Sequence, residues 1–248
     1  MIKVGSDFSG VGAFNQALIR LGIKYEEVFA CDMDKYARQT FILNYGEPKY
    51  YPENVYDREI PSESLDIYMT SPPCQSFSLA GKRKGEDSKN GVLFYNSHEF
   101  IKKNNPRFFI FENVKGLINH DNGNTFEIIK ATFNELGYKY FYQVLNAKNY
   151  GIPQHRERIF VVGFKDKNAT FTFPSPIELE HKMQDFLEDY IDTKYYLKEK
   201  GVKFVTSSKN RNKRYTQING EIALCQKANQ QFNWHGDFVF EQQNKSEF

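Results

Sequence analysis

Residues 2–21 read IKVGSDFSGVGAFNQALIRL and join a short apolar run, a glycine turn and an amphipathic segment. The run Ile2–Phe8 predicts a β-strand. Gly10 and Gly12 then let the backbone turn tightly and approach a ligand closely. Apolar residues recur at helical spacing over Ala13–Leu21, which predicts a helix. The chain therefore opens with a strand–turn–helix unit.

The same alternation continues through the first two thirds of the chain. Further strands are predicted at Val28–Cys31, Leu65–Thr70, Phe108–Phe111, Tyr140–Leu145 and Ile159–Phe164. Further helices are predicted at Lys35–Leu43, Val92–Lys103 and Thr125–Leu136. Strands that alternate with helices are typical of βαβ units. We therefore expect an α/β fold with a mostly parallel sheet and helices on both faces over residues 1–175, followed by a smaller, more polar region over 176–248.

Composition excludes several classes of protein. Of the 248 residues, 40% are hydrophobic and 26% are charged, which is ordinary for a folded domain. No apolar run approaches the roughly 18 residues of a membrane span. The N-terminus lacks the pattern of a signal peptide. The three cysteines include no CxxC pair, so we expect neither a disulfide framework nor a metal, and a cytoplasmic location.

An acidic residue follows the glycine turn at a distance typical of cofactor-binding folds. Asp32 ends the second predicted strand, where a carboxylate can bind the ribose hydroxyls of a nucleoside cofactor. Its alternative role is a helix N-cap, because Asp32 and Asp34 both precede a predicted helix. The turn lacks the third glycine of a dinucleotide motif, which favours S-adenosylmethionine over NAD.

A cysteine lies in a proline frame after the third predicted strand. Ser71-Pro-Pro73 precedes Cys74, and the two prolines would hold the thiol at the carboxyl end of strand Leu65–Thr70. A rigid loop of this kind keeps a nucleophile at attack geometry. We interpret Cys74 as a nucleophile, and Cys31 and Cys225 as unreactive structural cysteines.

Two charged segments flank the last predicted strands. Glu112 follows the apolar strand Phe108–Phe111 and is expected to close it, either as a cap or as a proton donor. Arg156 and Arg158 would point the same way in an extended chain, although a solvated charge cluster is the alternative.

Five segments in this order resemble the motifs of the DNA cytosine-5 methyltransferase family: DFSGVGAF, ACDMD, SPPCQSFS, FENVKG and QHRERIF. The resemblance is close over residues 1–175 and loose over parts of 176–240. It implies a Rossmann-like methyltransferase fold, S-adenosylmethionine as cofactor, and double-stranded DNA as substrate in a restriction–modification system. It also implies that residues 176–248 form part of a target-recognition region.

Residue roles carry over by position in the motifs. The resemblance implies catalytic roles for Cys74, Glu112, Arg156 and Arg158. It implies a cofactor site formed by Phe8, Gly10, Gly12, Asp32, Met33, Asn54, Val55 and Pro73. The target base would be flipped out of the duplex, and the segment Phe77–Val92 would close over it. Within that segment Lys82-Arg83-Lys84 either contacts phosphates or forms a solvated loop tip.

The family's two closing motifs do not follow Arg158 in this sequence. The resemblance therefore points to the larger subunit of a split bacterial enzyme of the AquI type, with a second polypeptide supplying those motifs. A truncated, inactive chain is the alternative. Two further alternatives stay open: a non-catalytic DNA-binding or regulatory relative, and a tRNA cytosine-5 methyltransferase.

Overall fold

The computed structural model describes residues 1–73, 92–226 and 234–240. A central sheet has six strands: β1 (Ile2–Asp7), β2 (Tyr25–Cys31), β3 (Ile67–Thr70), β4 (Phe108–Val114), β5 (Lys139–Asn146) and β6 (Glu157–Phe164). Their order across the sheet is β2-β1-β3-β4-β6-β5. Strands β2, β1, β3 and β4 pair in parallel, and β6 pairs with β4 in the antiparallel direction. The predicted mostly parallel sheet is confirmed.

Helices cover both faces of this sheet, as predicted. They are α1 (Ala13–Arg20), α2 (Lys35–Tyr45), α3 (Val92–Asn104) and α4 (Asn124–Glu135). Strand β3 shows how the two faces divide, because its side chains alternate. Tyr68 belongs to the large core that includes Phe100 of α3 and Phe133 of α4. Ile67 and Met69 belong to a smaller core that includes Leu18 of α1.

Strand β4 is longer than the sequence predicted. It continues through Glu112 to Val114, where the register pairs Glu112 with Phe160 and Val114 with Arg158. The expectation that Glu112 closes the strand at Phe111 is therefore wrong. The reason is that β6 begins at Glu157, two residues before the predicted start, and its backbone satisfies the hydrogen bonds of the polar end of β4.

The chain divides into two compact units. The first unit comprises Met1–Val144 and Arg158–Phe173, and the second comprises Leu145–Glu157 and Pro174–Phe248. The second unit contains α5 (Glu199–Thr206), α6 (Ser208–Asn212) and a parallel pair of strands, β7 (Thr216–Ile218) and β8 (Gly236–Phe238). None of the helices in the described residues has the length and hydrophobicity that crossing a membrane requires.

Candidate active site

Three parallel strands of the first unit end at one level of the sheet, and β4 passes through this level before it ends at Val114. The paired residues at this level are Cys31, Asp7, Thr70 and Phe111. The residues that directly follow them are Asp32, Phe8, Ser71 and Glu112. Open α/β sheets bind ligands at the carboxyl ends of their strands. The sheet register thus brings four of the segments singled out by the sequence to one edge.

The two glycines of the first turn serve different purposes. Gly12 has φ 86°, and a Cβ atom there would collide with the ring of Tyr45 on α2. Gly10 has φ 55°, but a Cβ atom there would meet no described atom within 4 Å. Packing therefore requires glycine at position 12, whereas position 10 borders open space in the described structure.

The carboxylate of Asp32 is fixed by two backbone amides. Gly10 N donates to Asp32 Oδ2 at 2.7 Å, and Asp34 N donates to Asp32 Oδ1 at 2.8 Å. The helix cap is Asp34, whose Oδ1 accepts from the amides of Tyr36 and Ala37 at 2.8 Å each. The N-cap of α2, which was the alternative role proposed for Asp32, is therefore Asp34. Each oxygen of Asp32 can accept a further hydrogen bond from a ligand hydroxyl.

The other predicted cofactor residues differ in exposure. The side chain of Met33, next to Asp32, is 86% exposed. Phe8 has φ 57° and packs half-buried against the large core. Val55 is buried, while the exposed Asn54 accepts a hydrogen bond from Tyr56 N at 3.0 Å and so shapes a turn. Of this set, Met33 and Asn54 are the side chains open to a ligand.

The segment before Cys74 is tied to its neighbours as far as Pro73. Ser71 Oγ donates to the carbonyl of Phe8 at 3.1 Å, and Asn113 Nδ2 donates to the carbonyl of Pro72 at 2.8 Å. Asn113 is buried in β4 and was not among the predicted site residues, although an amide in an apolar strand was a signal. Cys74 and the segment 77–91, with Lys82-Arg83-Lys84, lie outside the described residues. Pro73 is exposed.

Glu112 and Arg158 meet across β4 and β6. Arg158 Nε lies 3.0 Å from Glu112 Oε1, and each side chain is about one-fifth exposed. The two residues sit diagonally on adjacent antiparallel strands, a spacing within reach of long side chains. This partly buried ion pair fixes a carboxylate and a guanidinium side by side at the edge that carries the Pro72 segment.

Arg156 is placed differently from Arg158. It precedes β6, belongs to the second unit and is exposed. Its backbone amide donates to Asn146 Oδ1 at 3.1 Å, and its Nη1 lies 4.0 Å from Cys225 Sγ. Arg156 thus lies just before the strand that carries Arg158, and the expectation that the two arginines point the same way stays a prediction.

Cys31 is unsuited to nucleophilic chemistry, as predicted. It is 1% exposed at the end of β2. Burial, together with the nearby carboxylate of Asp7, raises the pKa of the Cys31 thiol to about 12. The thiolate that a nucleophile requires is thus disfavoured at this position.

The second unit contains an open cavity of about 620 Å³. Its polar lining includes His155, Ser208, Arg211, Asn212 and Arg214. Neither arginine forms an ion pair with an acidic residue in the part of the chain that the structure describes. Two guanidinium groups without a carboxylate partner make this cavity a candidate site for anionic ligands.

A model of C-5 cytosine-specific DNA methylases matches residues 2–246. The chain belongs to this family. The type II methyltransferase M.NgoBI of Neisseria gonorrhoeae is 42% identical over 203 residues, which cover 79% of the chain and 62% of that methylase. The type II methyltransferase M.HhaI of Haemophilus parahaemolyticus is 42% identical over 183 residues, covering 73% of the chain and 55% of the relative.

Phage methylases and more distant structures extend the comparison. The orphan methyltransferase M.SPRI of Bacillus phage SPR is 35% identical over 236 residues, covering 80% of the chain and 52% of the relative. The chain thus spans about half the length of the curated methylases it matches. The crystal structure of a Spodoptera frugiperda DNMT2 mutant has a TM-score of 0.77 at 19% identity, covering 99% of the chain and 76% of that structure. This likeness bears on the fold alone, which is that of a Rossmann-like methyltransferase.

Proposed function

We propose that this chain transfers a methyl group from S-adenosylmethionine to C5 of a cytosine in duplex DNA. The observation that carries the proposal is the single sheet edge that gathers the Gly10–Asp32 contact, the Pro72 segment leading to Cys74, and the Glu112–Arg158 pair. Type II DNA methyltransferases among the relatives at 42% identity favour DNA as the substrate. Membership in a restriction–modification system is part of the same proposal.

The cofactor segments suit an adenosine ligand. The doubly amide-bound carboxylate of Asp32 would accept from the ribose hydroxyls, and the exposed Met33 would lie against the adenine. No atom of the described residues crowds Gly10, so the backbone there allows close approach of a ligand. When bound, S-adenosylmethionine supplies an electrophilic methyl group. The remaining residues of the set (Phe8, Gly12, Asn54, Val55 and Pro73) would support the walls of this site.

The chemistry requires a nucleophile because cytosine C5 is a poor nucleophile by itself. We propose that the thiolate of Cys74 adds to C6, which raises the electron density at C5. C5 would then attack the methyl group, so that the C5–methyl bond forms as the methyl–sulfur bond breaks and S-adenosylhomocysteine leaves. Loss of the C5 proton to a base and elimination of Cys74 restore the aromatic ring and the free thiolate. The prolines before Cys74 would keep the thiol in place.

Glu112 and Arg158 would bind the base that Cys74 attacks. Glu112 would hydrogen-bond the N3/N4 edge and stabilise the protonated N3 as C6 is attacked. Arg158 would hold O2, and its contact with Glu112 would orient the carboxylate in advance. Arg156 would support the adjacent segment or contact a phosphate.

The second unit would bind the DNA backbone. The cavity that Arg211 and Arg214 line suits phosphate groups, because guanidinium pairs well with phosphate oxygens. The target base would leave the duplex to reach Cys74. Closure of the segment Phe77–Val92 over that base stays a prediction.

A second polypeptide that supplies the family's closing motifs also stays a prediction. The chain spans about half the length of its curated relatives, so a continuation of the same polypeptide is the other source of those motifs. Activity that appears only when a separate chain is added supports a split enzyme, whereas activity of the 248-residue chain alone contradicts it.

The deciding experiment traps the proposed covalent adduct. The chain, with and without the closing motifs supplied in trans, is incubated with a 5-fluorocytosine duplex and S-adenosylmethionine, and adducts are detected by mass. We expect an adduct at Cys74 that is lost in Cys74→Ser and kept in Cys225→Ala. A parallel assay follows labelled methyl transfer to duplex DNA and to tRNA. Preferential labelling of tRNA, or an adduct that survives Cys74→Ser, would contradict the proposal.

A further inference from the structure

Three polar side chains form a fully buried cluster beneath the candidate cofactor site. Asp7, Arg58 and Tyr68 are 1%, 7% and 0% exposed. Arg58 Nε and Nη2 donate to the two carboxylate oxygens of Asp7 at 2.8 and 2.9 Å. The Tyr68 hydroxyl donates to Asp7 Oδ2 at 2.5 Å. The guanidinium of Arg58 also lies 4.5 Å above the ring centre of Phe100.

Stability alone is a weak reason for a cluster of this kind. Removing two charges from water is costly, and replacing a buried ion pair with apolar residues of similar volume is often neutral or stabilising. The ion pair instead fixes geometry. A two-pronged guanidinium–carboxylate contact sets both the distance and the angle between its two partners. The aromatic contact with Phe100 fixes the plane of the guanidinium as well.

The cluster lies where two candidate cofactor segments meet. Asp7 is the last residue of β1 and directly precedes the turn Phe8–Gly12. Arg58 directly follows the turn Asn54–Asp57, which is closed by a hydrogen bond from Asp57 N to Asn54 O at 3.2 Å. In sequence the two partners are 51 residues apart. The ion pair is therefore a direct link between the two turns.

We propose that Asp7, Arg58 and Tyr68 are positioning residues that hold the turns 8–12 and 54–57 at the separation required for S-adenosylmethionine. None of the three contacts the cofactor in this role. Tyr68 fixes the carboxylate from β3, Arg58 carries the second turn, and Asp7 carries the first. The identity of the ligand rests on the proposed function, whereas the link between the two turns does not.

The matched control is an ion pair at the opposite edge of the same sheet. Arg107 Nη1 lies 2.9 Å from Asp66 Oδ1, and these residues precede β4 and β3. This pair also joins two segments that are distant in sequence, but its arginine side chain is 77% exposed and touches neither turn. Arg107→Met therefore removes an inter-segment ion pair without affecting the candidate cofactor site.

The test separates position from stability. A triple variant with Asp7→Leu, Arg58→Met and Tyr68→Phe removes all three polar groups and keeps the cluster apolar and filled. We expect its thermal midpoint to stay within about 3 °C of the wild type, while the Kd for S-adenosylmethionine rises about tenfold. Without cofactor, the amides of residues 8–12 and 54–58 should exchange hydrogen about tenfold faster than in the wild type. A folded triple variant with wild-type affinity and exchange would overturn the proposal.

Arg58→Lys provides a second variant in case the triple variant does not fold. Lysine keeps the charge but loses the two-pronged contact, so affinity and exchange should fall between those of the wild type and the triple variant. Wild-type values in Arg58→Lys, or an equal effect of Arg107→Met on both turns, would contradict a positioning role. If the wild type fails to bind S-adenosylmethionine both alone and with the closing motifs supplied in trans, the proposed cofactor is wrong. In that case the exchange data still decide whether the cluster links the turns.

Discussion

The two compact units of this chain bury their aromatic residues to very different extents. In the first unit Phe29, Phe100, Phe109, Phe111 and Phe133 are at most 1% exposed and pack into one core. In the described part of the second unit, large aromatic side chains lie at the surface, and the exposures of Tyr190, Tyr195 and Phe186 are 81%, 69% and 64%.

This difference indicates two ways of stabilising a fold. The first unit is held by apolar area removed from water, so its candidate site rests on a rigid sheet edge. The second unit relies more on individual hydrogen bonds, such as those from Gln217 Nε2 and Leu224 N to the carboxylate of Asp237. The same substitution should therefore have different consequences in the two units.

The largest contrast is expected for truncated phenylalanines. Phe109→Ala removes a ring that packs 4.6 Å from Phe133 and 5.3 Å from Tyr138, centre to centre. We expect it to lower the free energy of unfolding by about 3–5 kcal/mol. The matched change Phe186→Ala in the second unit should alter it by about 0.5 kcal/mol or less. Urea unfolding of both variants measures the two changes in the free energy of unfolding. Equal losses in the two variants would show that the two units do not differ in this respect.

A buried carboxylate of the first unit should make its stability depend on pH. Burial raises the pKa of Glu27 in β2 to about 7, although Asn15 Nδ2 donates to the carboxylate. The folded state thus holds the proton more tightly than the unfolded chain, whose value is near 4.5. The contribution of Glu27 to stability is therefore fully present below about pH 4.5, is lost as the pH rises towards 7, and changes no further above that.

Glu27→Gln removes this titration. Because the amide carries no charge to desolvate, the variant should match the wild type near pH 5 and exceed it by about 1–3 kcal/mol at pH 8. Urea unfolding at several pH values measures the difference. The control is Glu26→Gln, since the ion pair with Lys49 lowers the pKa of that half-buried neighbour. A parallel pH profile for Glu27→Gln and the wild type would show that Glu27 does not titrate in this range.

A smaller effect is expected in the second unit, where one carboxylate joins two segments. Asp237 accepts from Gln217 Nε2 and Leu224 N at 2.8 Å each. In Asp237→Asn one of these donors faces an amide NH₂ instead, so the free energy of unfolding should fall by about 1–2 kcal/mol. Asp189→Asn is the control, because this exposed residue bonds to no side chain in the described structure. Equal stability of both variants would argue against hydrogen bonds as the main support of this unit.

Substitutions at the cavity of the second unit should have the smallest effect on stability. They should have the clearest effect on binding. Arg211→Ala and Arg214→Ala should each change the free energy of unfolding by at most about 0.5 kcal/mol. When the logarithm of the association constant for DNA is plotted against the logarithm of the salt concentration, the slope is negative. Each variant should make this slope less steep by about 1, because one phosphate contact is lost. The control is Lys213→Ala, a cation of the same segment that does not line the cavity. An unchanged slope in both arginine variants would exclude the cavity as a phosphate site.

Local signals made most of the fold predictable. The apolar run, two glycines and helical spacing of residues 2–21 predicted β1, the turn and α1, and the structure has them at Ile2–Asp7 and Ala13–Arg20. Such features depend on residues close together in the chain. Membership of the family confirmed the class of protein that the five motifs resemble. The roles of individual site residues, Cys74 above all, stay predictions.

Contacts between distant segments were not predictable. Glu112 was expected to end a strand, because nothing near it indicates that β6 continues the pairing and places Arg158 beside it. No local pattern singles out Arg58, which is buried against Asp7 from 51 residues away. In both cases the charge of one residue is explained only by a partner that folding brings to it.

Side chains of β4 alternate between the two sides of the strand, and this alternation limits how the length of the strand can vary. Glu112 pairs with Arg158, while its neighbour Asn113 turns to the other side of the strand and holds the carbonyl of Pro72. Inserting or deleting one residue in β4 would exchange these two directions and lose both contacts together. We therefore expect the seven residues of this strand to tolerate substitution at some positions but no change in length, and natural variation in length to accumulate in the loops at its two ends.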